Sequence, residues 1–250
     1  MELQQLKSTR LAPSLARLVN LLEQGIATHG KLSPLKAKEI VLQANVQVED
    51  MMEYAAFNHP VEDCYGRKLV FDNGQFEVMV MSWNPGDYSS IHNHGYTQWG
   101  VVQVFGNTHH MIYRLKDNQM TFSKKELLNA GEAIKVNNAL IHQMGNATTV
   151  PYLTLHVYGV NEEGKAITAD AKNYDLELDR VVHTCGGAFF NLPKENVHDI
   201  EKGVIPCKKV FQHYAYLLMA YYNRQEPTPE IIERKRQLLN KMEQCFFSAS

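Results

Sequence analysis

Cysteine is scarce in this sequence. The 250 residues contain four, at Cys64, Cys185, Cys207 and Cys245, with no C-x-x-C pair. That spacing excludes a zinc ribbon and a disulfide-stapled scaffold, and it fits a reducing compartment. An excess of one charge is also lacking. The 25 Lys and Arg nearly balance the 27 Asp and Glu, for a net charge of −2. Without a basic excess the chain gains little by neutralising phosphates, so nucleic acid is not an expected partner. No apolar run approaches the roughly 18 residues of a membrane span, so no membrane partner is expected either. The opening residues, Met1-Glu2-Leu3-Gln4-Gln5-Leu6, lack the basic-then-apolar layout of a signal peptide. A cytoplasmic location is the expectation. Internal repeats and low-complexity tracts are absent. The 44% hydrophobic and 21% charged content is that of an ordinary globular chain.

The pattern divides the chain into three parts. Residues 1–57 read as a helical segment packing on the main domain. Leu11, Leu15, Leu18, Val19 and Leu22 share one helix face, with Gly25 as its stop. Ser33-Pro34 reads as an N-cap and first-turn proline, opening a second helix through Leu35, Ile40, Val41 and Ala44. A short third helix is expected over Glu49 to Phe57.

Residues 58–190 carry many short strands. Asp72-Asn73-Gly74 is a hairpin signal, because Asn-Gly accepts the positive φ of a tight turn. Phe76, Val78 and Val80 then alternate with Glu77, Met79 and Met81. Further strands are expected at Trp99–Phe105, Thr108–Leu115, Met120–Ser123, Ala133–Val136, Tyr152–Val157 and Arg180–Thr184. Frequent short strands point to a β sandwich or barrel. After Asn191-Leu192-Pro193 the period becomes helical again, through Val210, Tyr214, Leu217, Leu218 and Tyr221. A last helix carries Ile231, Leu238, Met242 and Phe246 on one face. This extension, 191–250, either covers a sheet or forms a homodimer contact; the sequence does not separate the two.

The chemistry centres on His92-Asn93-His94. Histidines at i and i+2 of a strand point to one face and can reach one metal ion. His142 from another strand completes a three-nitrogen set with coordination positions left open, the layout of a reactive metal rather than a structural one. The spacing around them matches two motifs. Gly86, five residues, His92-x-His94, four residues, Trp99, six residues and Gly106 follow G-x5-H-x-H-x(3,4)-E-x6-G, with Trp99 in place of the glutamate. Gly131, Asn137, Ala139, His142 and Asn146 follow the frame G-x5-P-x-G-x2-H-x3-N, with Asn for Pro and Ala for Gly.

Both motifs resemble those of the cupin superfamily. The resemblance implies a mainly β fold: a single cupin, a small antiparallel jelly-roll barrel, with N-terminal and C-terminal helices. Loss of the glutamate leaves three neutral imidazoles and the full charge of a divalent ion, which favours an anionic co-ligand such as a thiolate. Tyr65-Gly66-Arg67-Lys68-Leu69-Val70, the Ser-Ser-Ile-His-x-His run and Thr154-Leu155-His156-Val157-Tyr158 all resemble cysteine dioxygenase and its thiol dioxygenase relatives, over roughly Tyr65 to Tyr158.

That resemblance implies an Fe(II) cofactor held by His92, His94 and His142, with a small-molecule thiol and O2 as substrates and a sulfinic acid as product. It assigns Arg67 to the substrate carboxylate, with Tyr65 beside it. It assigns Tyr158 to the position next to the iron, oriented by His156 and Thr154. An arginine fork can grip a carboxylate at two points, and a phenol can donate to bound dioxygen. Two departures stand out. The cysteine that crosslinks to the tyrosine in animal-type members is replaced at Trp99 or Gly100, so no crosslink is expected. Gly159-Val160 stands where Ser-Pro is common, which leaves cysteine as the leading candidate thiol and 3-mercaptopropionate or another thiol as the alternative.

Other residues carry blander expectations. Of His109-His110, adjacent and opposite-facing, at least one is read as surface. His183 and Cys185 are read as structural. Cys64 is a candidate reactive thiol with only Arg67 nearby in sequence to lower its pKa. Two rivals to the thiol dioxygenase remain: a cupin isomerase or other dioxygenase, and a metal-dependent sensor that binds a ligand without turnover.

Overall fold

The computed structural model describes residues 11–162 and 166–247, without the side chains of residues 246 and 247. The start of the expected helical segment and Phe246 therefore lie outside what is described. Helices α1 (Pro13–His29), α2 (Pro34–Ala44) and the one-turn α3 (Val48–Met51) open the chain. Twelve strands follow among the described residues: β1 (Gly66–Asp72), β2 (Phe76–Trp83), β3 (Trp99–Val104), β4 (Thr108–Lys116), β5 (Gln119–Leu128), β6 (Ala133–Val136), β7 (Ile141–Gly145), β8 (Tyr152–Gly159), β9 (Ala171–Asp175), β10 (Arg180–Thr184), β11 (Val197–Lys202) and β12 (Ile205–Pro206). Helices α4 (Lys208–Arg224) and α5 (Pro229–Phe247) close it.

Ser33 caps α2 as expected, its hydroxyl accepting from the Lys36 amide at 3.2 Å. Gly25 does not stop α1. A Cβ there would lie 2.7 Å from Ile40 Cδ1, so this glycine lets α2 pack closely, and Gly30 at φ 68° ends the helix.

The strands form sheets in the orders β1-β2-β8-β3-β6, β12-β5-β4-β7 and β11-β10-β9. The central strands β2, β8 and β3 of the five-stranded sheet are buried on both faces. Phe76, Val78 and Val80 join Leu153, Leu155, Val157, Trp99 and Val101 against α1 and α2. The opposite face turns Met79, Met81, Trp83, Val102 and Val104 into a core shared with Met111, Tyr113, Met120 and Met144 of the four-stranded sheet. Alternation along β8 puts Thr154, His156 and Tyr158 on this inner face. In register, Met81 lies beside Thr154, Met79 beside His156, and Glu77 beside Tyr158.

After residue 191 the chain does not become helical at once. β11 pairs antiparallel with β10, β12 pairs parallel with β5, and helix begins only at Lys208. β11 escapes sequence reading because five of its six residues are exposed and it lacks an alternating apolar face. α4 buries Val210, Phe211, Tyr214, Leu217, Leu218 and Tyr221 in the inner core, so the C-terminal helices do cover a sheet.

Candidate metal centre

The H-x-H segment is not a regular strand. His92 forms isolated bridges to His142 and Asn173, which tie it to β7 and β9, and His94 follows in an irregular stretch. The His92 amide donates to His142 O and the His142 amide to His92 O, both at 2.9 Å. This reciprocal pair, rather than strand alternation, sets the two side chains side by side. Glycines at the motif positions 86 and 131 have φ of 84° and 91°, a left-handed backbone that other residues enter only with strain.

The three imidazoles converge through Nε2. His142 Nε2 lies 3.2 Å from His92 Nε2 and 3.1 Å from His94 Nε2. Their ligand atoms all fall within 4.8 Å of one another. His92 Nδ1 donates to Ser90 O at 2.9 Å, which leaves its Nε2 as a bare lone pair. Burial lowers all three pKa values, that of His92 to about 4 and those of His94 and His142 well below the usual histidine range. The imidazoles are therefore neutral, the form that binds a metal. Three lone pairs facing one point repel unless a cation lies between them. An ion at about 2.1 Å from each nitrogen would separate neighbouring ligands by about 3 Å, so the residues present fit a divalent metal.

Beside the triad runs a second chain of hydrogen bonds. Trp83 Nε1 donates to Thr154 Oγ1 at 2.9 Å, Thr154 Oγ1 meets His156 Nε2 at 2.7 Å, and His156 Nδ1 meets the Tyr158 hydroxyl at 2.7 Å. The indole can only donate, so the Thr154 oxygen accepts from it. The Thr154 oxygen keeps a second lone pair and its own proton, so it can donate to His156 Nε2 or accept from it. Burial pushes the His156 pKa down to about 3, so the ring is neutral. In the tautomer with the proton on Nδ1, His156 donates to the Tyr158 oxygen and the phenolic O–H is free to donate elsewhere. Burial raises the Tyr158 pKa, so the proton is retained. The Tyr158 and His94 rings are 5.4 Å apart.

Triad and phenol face a cleft whose wall includes Tyr65, Met81, Trp83, Ser89, Asn93 and Thr168. Trp83 was not singled out in the sequence. Its position on the inner face, two residues beyond Met81, is the signal that could have found it.

A network also lies behind the triad. His142 Nδ1 is 2.9 Å from His110 Nε2, and His110 Nδ1 is 2.9 Å from Glu126 Oε1. His110 is buried and His109 half-buried, so neither is a plain surface residue. Adjacent residues do face opposite ways: His109 meets the Tyr88 hydroxyl at 3.0 Å, and His110 turns to the metal site.

A family model described as cysteine dioxygenase type I matches residues 3–160. The chain belongs to that family. Cysteine dioxygenase type 1 of Homo sapiens is 26% identical over 151 residues, covering 58% of this chain and 74% of that protein. The Danio rerio protein of the same name is 28% identical over 123 residues, covering 46% and 59% respectively. Among solved structures, a Klebsiella pneumoniae protein with a double-stranded β-helix domain gives a TM-score of 0.36 at 18% identity, covering 48% of this chain and 91% of that one. A recombinant oxalate oxidase in complex with glycolate gives 0.37 at 14% identity, covering 44% and 57%. Membership in the cysteine dioxygenase family supports an oxygenase acting on a thiol.

The other expected site residues divide. Tyr65 lines the cleft, stacks on Trp83 with ring centres 4.7 Å apart, and accepts from the Ala188 amide at 3.2 Å. Arg67 is half-buried and outside the cleft wall; its Nε donates to Met79 Sδ at 3.1 Å. Trp99, in the glutamate position, points to the outer core against Phe76 and away from the histidines. The inward position is Gly100, opposite Tyr158, where a Cβ would lie 3.0 Å from Tyr158 Cδ1. The four cysteines lie outside the cleft wall.

Cys64 is fully buried, accepts from the Phe190 amide at 3.1 Å, and burial pushes its pKa up to about 12. It is not a reactive thiol. His183 contacts Asp170, and exposed Cys185 meets His198 Nε2 at 2.8 Å. Among the described residues, no helix is long and apolar enough to cross a membrane.

Proposed function

We propose that the chain is an Fe(II)-dependent thiol dioxygenase. It would add both atoms of O2 to the sulfur of a small thiol carboxylate, with R–SH and O2 giving R–SO2H. Cysteine is the leading candidate. The observation that carries this reading is the convergence of three Nε2 atoms beside the hydrogen-bonded Tyr158 phenol at one cleft. Iron bound by His92, His94 and His142 would bring thiolate and O2 together and pass electrons between them.

The chain's own residues do the rest. The uncompensated charge of a three-imidazole site attracts the substrate as its thiolate. The Tyr158 O–H donates a hydrogen bond to oxygen as negative charge develops there. His156 and Thr154 hold the phenol in that direction. Tyr65, Met81 and Trp83 shape the cleft. Arg67 would grip the substrate carboxylate, a role that requires its guanidinium to turn from Met79 into the cleft. We further infer that the two main sheets close as a cupin barrel around this site.

A second reading concerns the thiol. Among the described residues the cleft wall has no carboxylate to grip an ammonium group, which favours 3-mercaptopropionate or another thiol without an amine. An oxygen-electrode screen of iron-loaded protein with cysteine, 3-mercaptopropionate and cysteamine separates the cases. Uptake with a sulfinate product is expected for at least one thiol carboxylate. Tight thiol binding without oxygen uptake would mean a sensor, and neither would remove the thiol reading.

The row of hydrogen bonds gives a further prediction. Trp83→Phe removes the indole N–H that holds Thr154 Oγ1, and so loosens the grip of Thr154 on His156. Oxygen uptake is expected to fall by about tenfold, the cost of one lost hydrogen bond, with little change in KM. An unchanged kcat would show that Trp83 does not hold the row in place.

A further inference from the structure

We propose that Glu126 and His110 form, with His142, a carboxylate–imidazole–imidazole relay that orients the third metal ligand and lends it negative charge. The proposal rests on reading His92, His94 and His142 as a metal site, and it concerns what lies behind that site.

Strand register builds the relay. His110 on β4 lies directly opposite Glu126 on β5. Across the other edge of β4 it lies opposite Met144 on β7, which makes His142, two residues back, its diagonal neighbour on the same face. The contacts then form one line: Glu126 Oε1 to His110 Nδ1 at 2.9 Å, and His110 Nε2 to His142 Nδ1 at 2.9 Å. If His142 presents Nε2 to the metal, its proton sits on Nδ1 and can only donate. His110 Nε2 must then accept, so the His110 proton sits on Nδ1 and donates to the carboxylate. One proton arrangement satisfies every member.

This distinguishes His142 from its partners. His92 Nδ1 donates to a neutral carbonyl, Ser90 O. His94 meets only neutral backbone groups beyond the triad, those of Leu140 and Asn137. Only His142 is linked to an anion. A hydrogen bond that ends on a carboxylate makes the ligating nitrogen a stronger donor to the metal. The relay thus carries to the site part of the negative charge that a glutamate ligand would supply and that Trp99 does not. Lys124 pairs with the other Glu126 oxygen at the solvent edge and tempers that charge.

The test compares the full-length protein with its E126Q, H110F, K124Q and H142A variants. Two readouts are Fe2+ affinity, by anaerobic competition with a chromogenic chelator, and the Fe(III)/Fe(II) potential of the loaded protein. Glu126→Gln keeps an acceptor of the same shape but loses the charge. It is expected to weaken Fe2+ binding about tenfold and raise the potential; His110→Phe should weaken binding up to about 100-fold, the range for lost supporting partners. Lys124→Gln should shift both readouts the opposite way, which a packing role would not produce. Circular dichroism checks folding, and E126Q decides the matter if H110F does not fold. Wild-type affinity and potential in E126Q would overturn the relay while leaving the metal site intact. If the wild-type protein bound Fe2+ no better than H142A, the metal reading would fail and the relay with it.

Discussion

His94→Ala is expected to abolish metal binding at the triad and, with it, thiol-dependent oxygen uptake. His94 is buried, and its Nε2 faces His142 Nε2 at 3.1 Å. Alanine leaves two imidazoles to hold the ion and admits water at the vacated position. With no carboxylate in the set, nothing compensates. The affinity loss should exceed the roughly 100-fold that removal of a supporting partner costs. The fold should survive, because beyond the triad the polar contacts of His94 are limited to the backbone of Leu140 and Asn137. Iron content and oxygen-electrode rates measured beside a circular dichroism melt decide it. Wild-type iron content in a folded H94A protein would remove His94 from the site.

The second large effect is on stability. Asp87 has no exposed side-chain surface and holds three parts of the chain together. Its Oδ1 accepts from Arg224 Nη1 of α4 at 2.6 Å; its Oδ2 accepts from the Asn84 amide at 2.6 Å and meets His59 Nε2 at 3.0 Å. The Asp87 hydrogen bond and burial compete at His59, and the bond prevails, raising its pKa. Asp87→Ala strips an anion from a partly buried guanidinium and from His59. Removing one partner of a buried ion pair costs about 3–5 kcal/mol. For a chain of this size that lowers Tm by roughly 10 °C. Asp87→Asn, which keeps two of the hydrogen bonds, should lose less. A melt of D87A indistinguishable from wild type would show that α4 docks without this pair.

Asp87 also explains what the C-terminal helices do for the site. It lies five residues before His92, on the loop that carries the first two ligands. α4 braces that loop through Arg224, while the Tyr221 hydroxyl donates to Glu62 O at 2.6 Å, just before Tyr65. Tyr222 and Arg234 both donate to Glu177, each at 2.6 Å, and fix the helical pair to the strand layer. The extension lies beyond the residues the family model matches, yet it supports the loop that holds the centre.

Local chemistry was legible wherever a short stretch of chain decides it. The α1 face, the Ser33 cap, the Asn73-Gly74 turn and the bounds of β6 and β10 follow from propensity and periodicity, which act within a few residues. Strands β9 and β11 were not legible. Their sequences, Ala171–Asp175 and Val197–Lys202, are polar and become strands because β10 lies between them and pairs with both. Gly25 misled for the same reason, since its role is set by Ile40 on another helix.

The candidate centre divides along the same line. Spacing alone named His92, His94 and His142, because ligand type and sequence separation are local properties. Thr154, His156 and Tyr158 were named by resemblance to the cysteine dioxygenase family, and strand alternation agrees in putting all three on one face. Only the tertiary structure decided that Trp83 donates into that row, that Arg67 rests outside the cleft wall, and that His110 and Glu126 stand behind His142. Each of these depends on which strands become neighbours and in what register, and register is a property of the packed sheet rather than of any one segment.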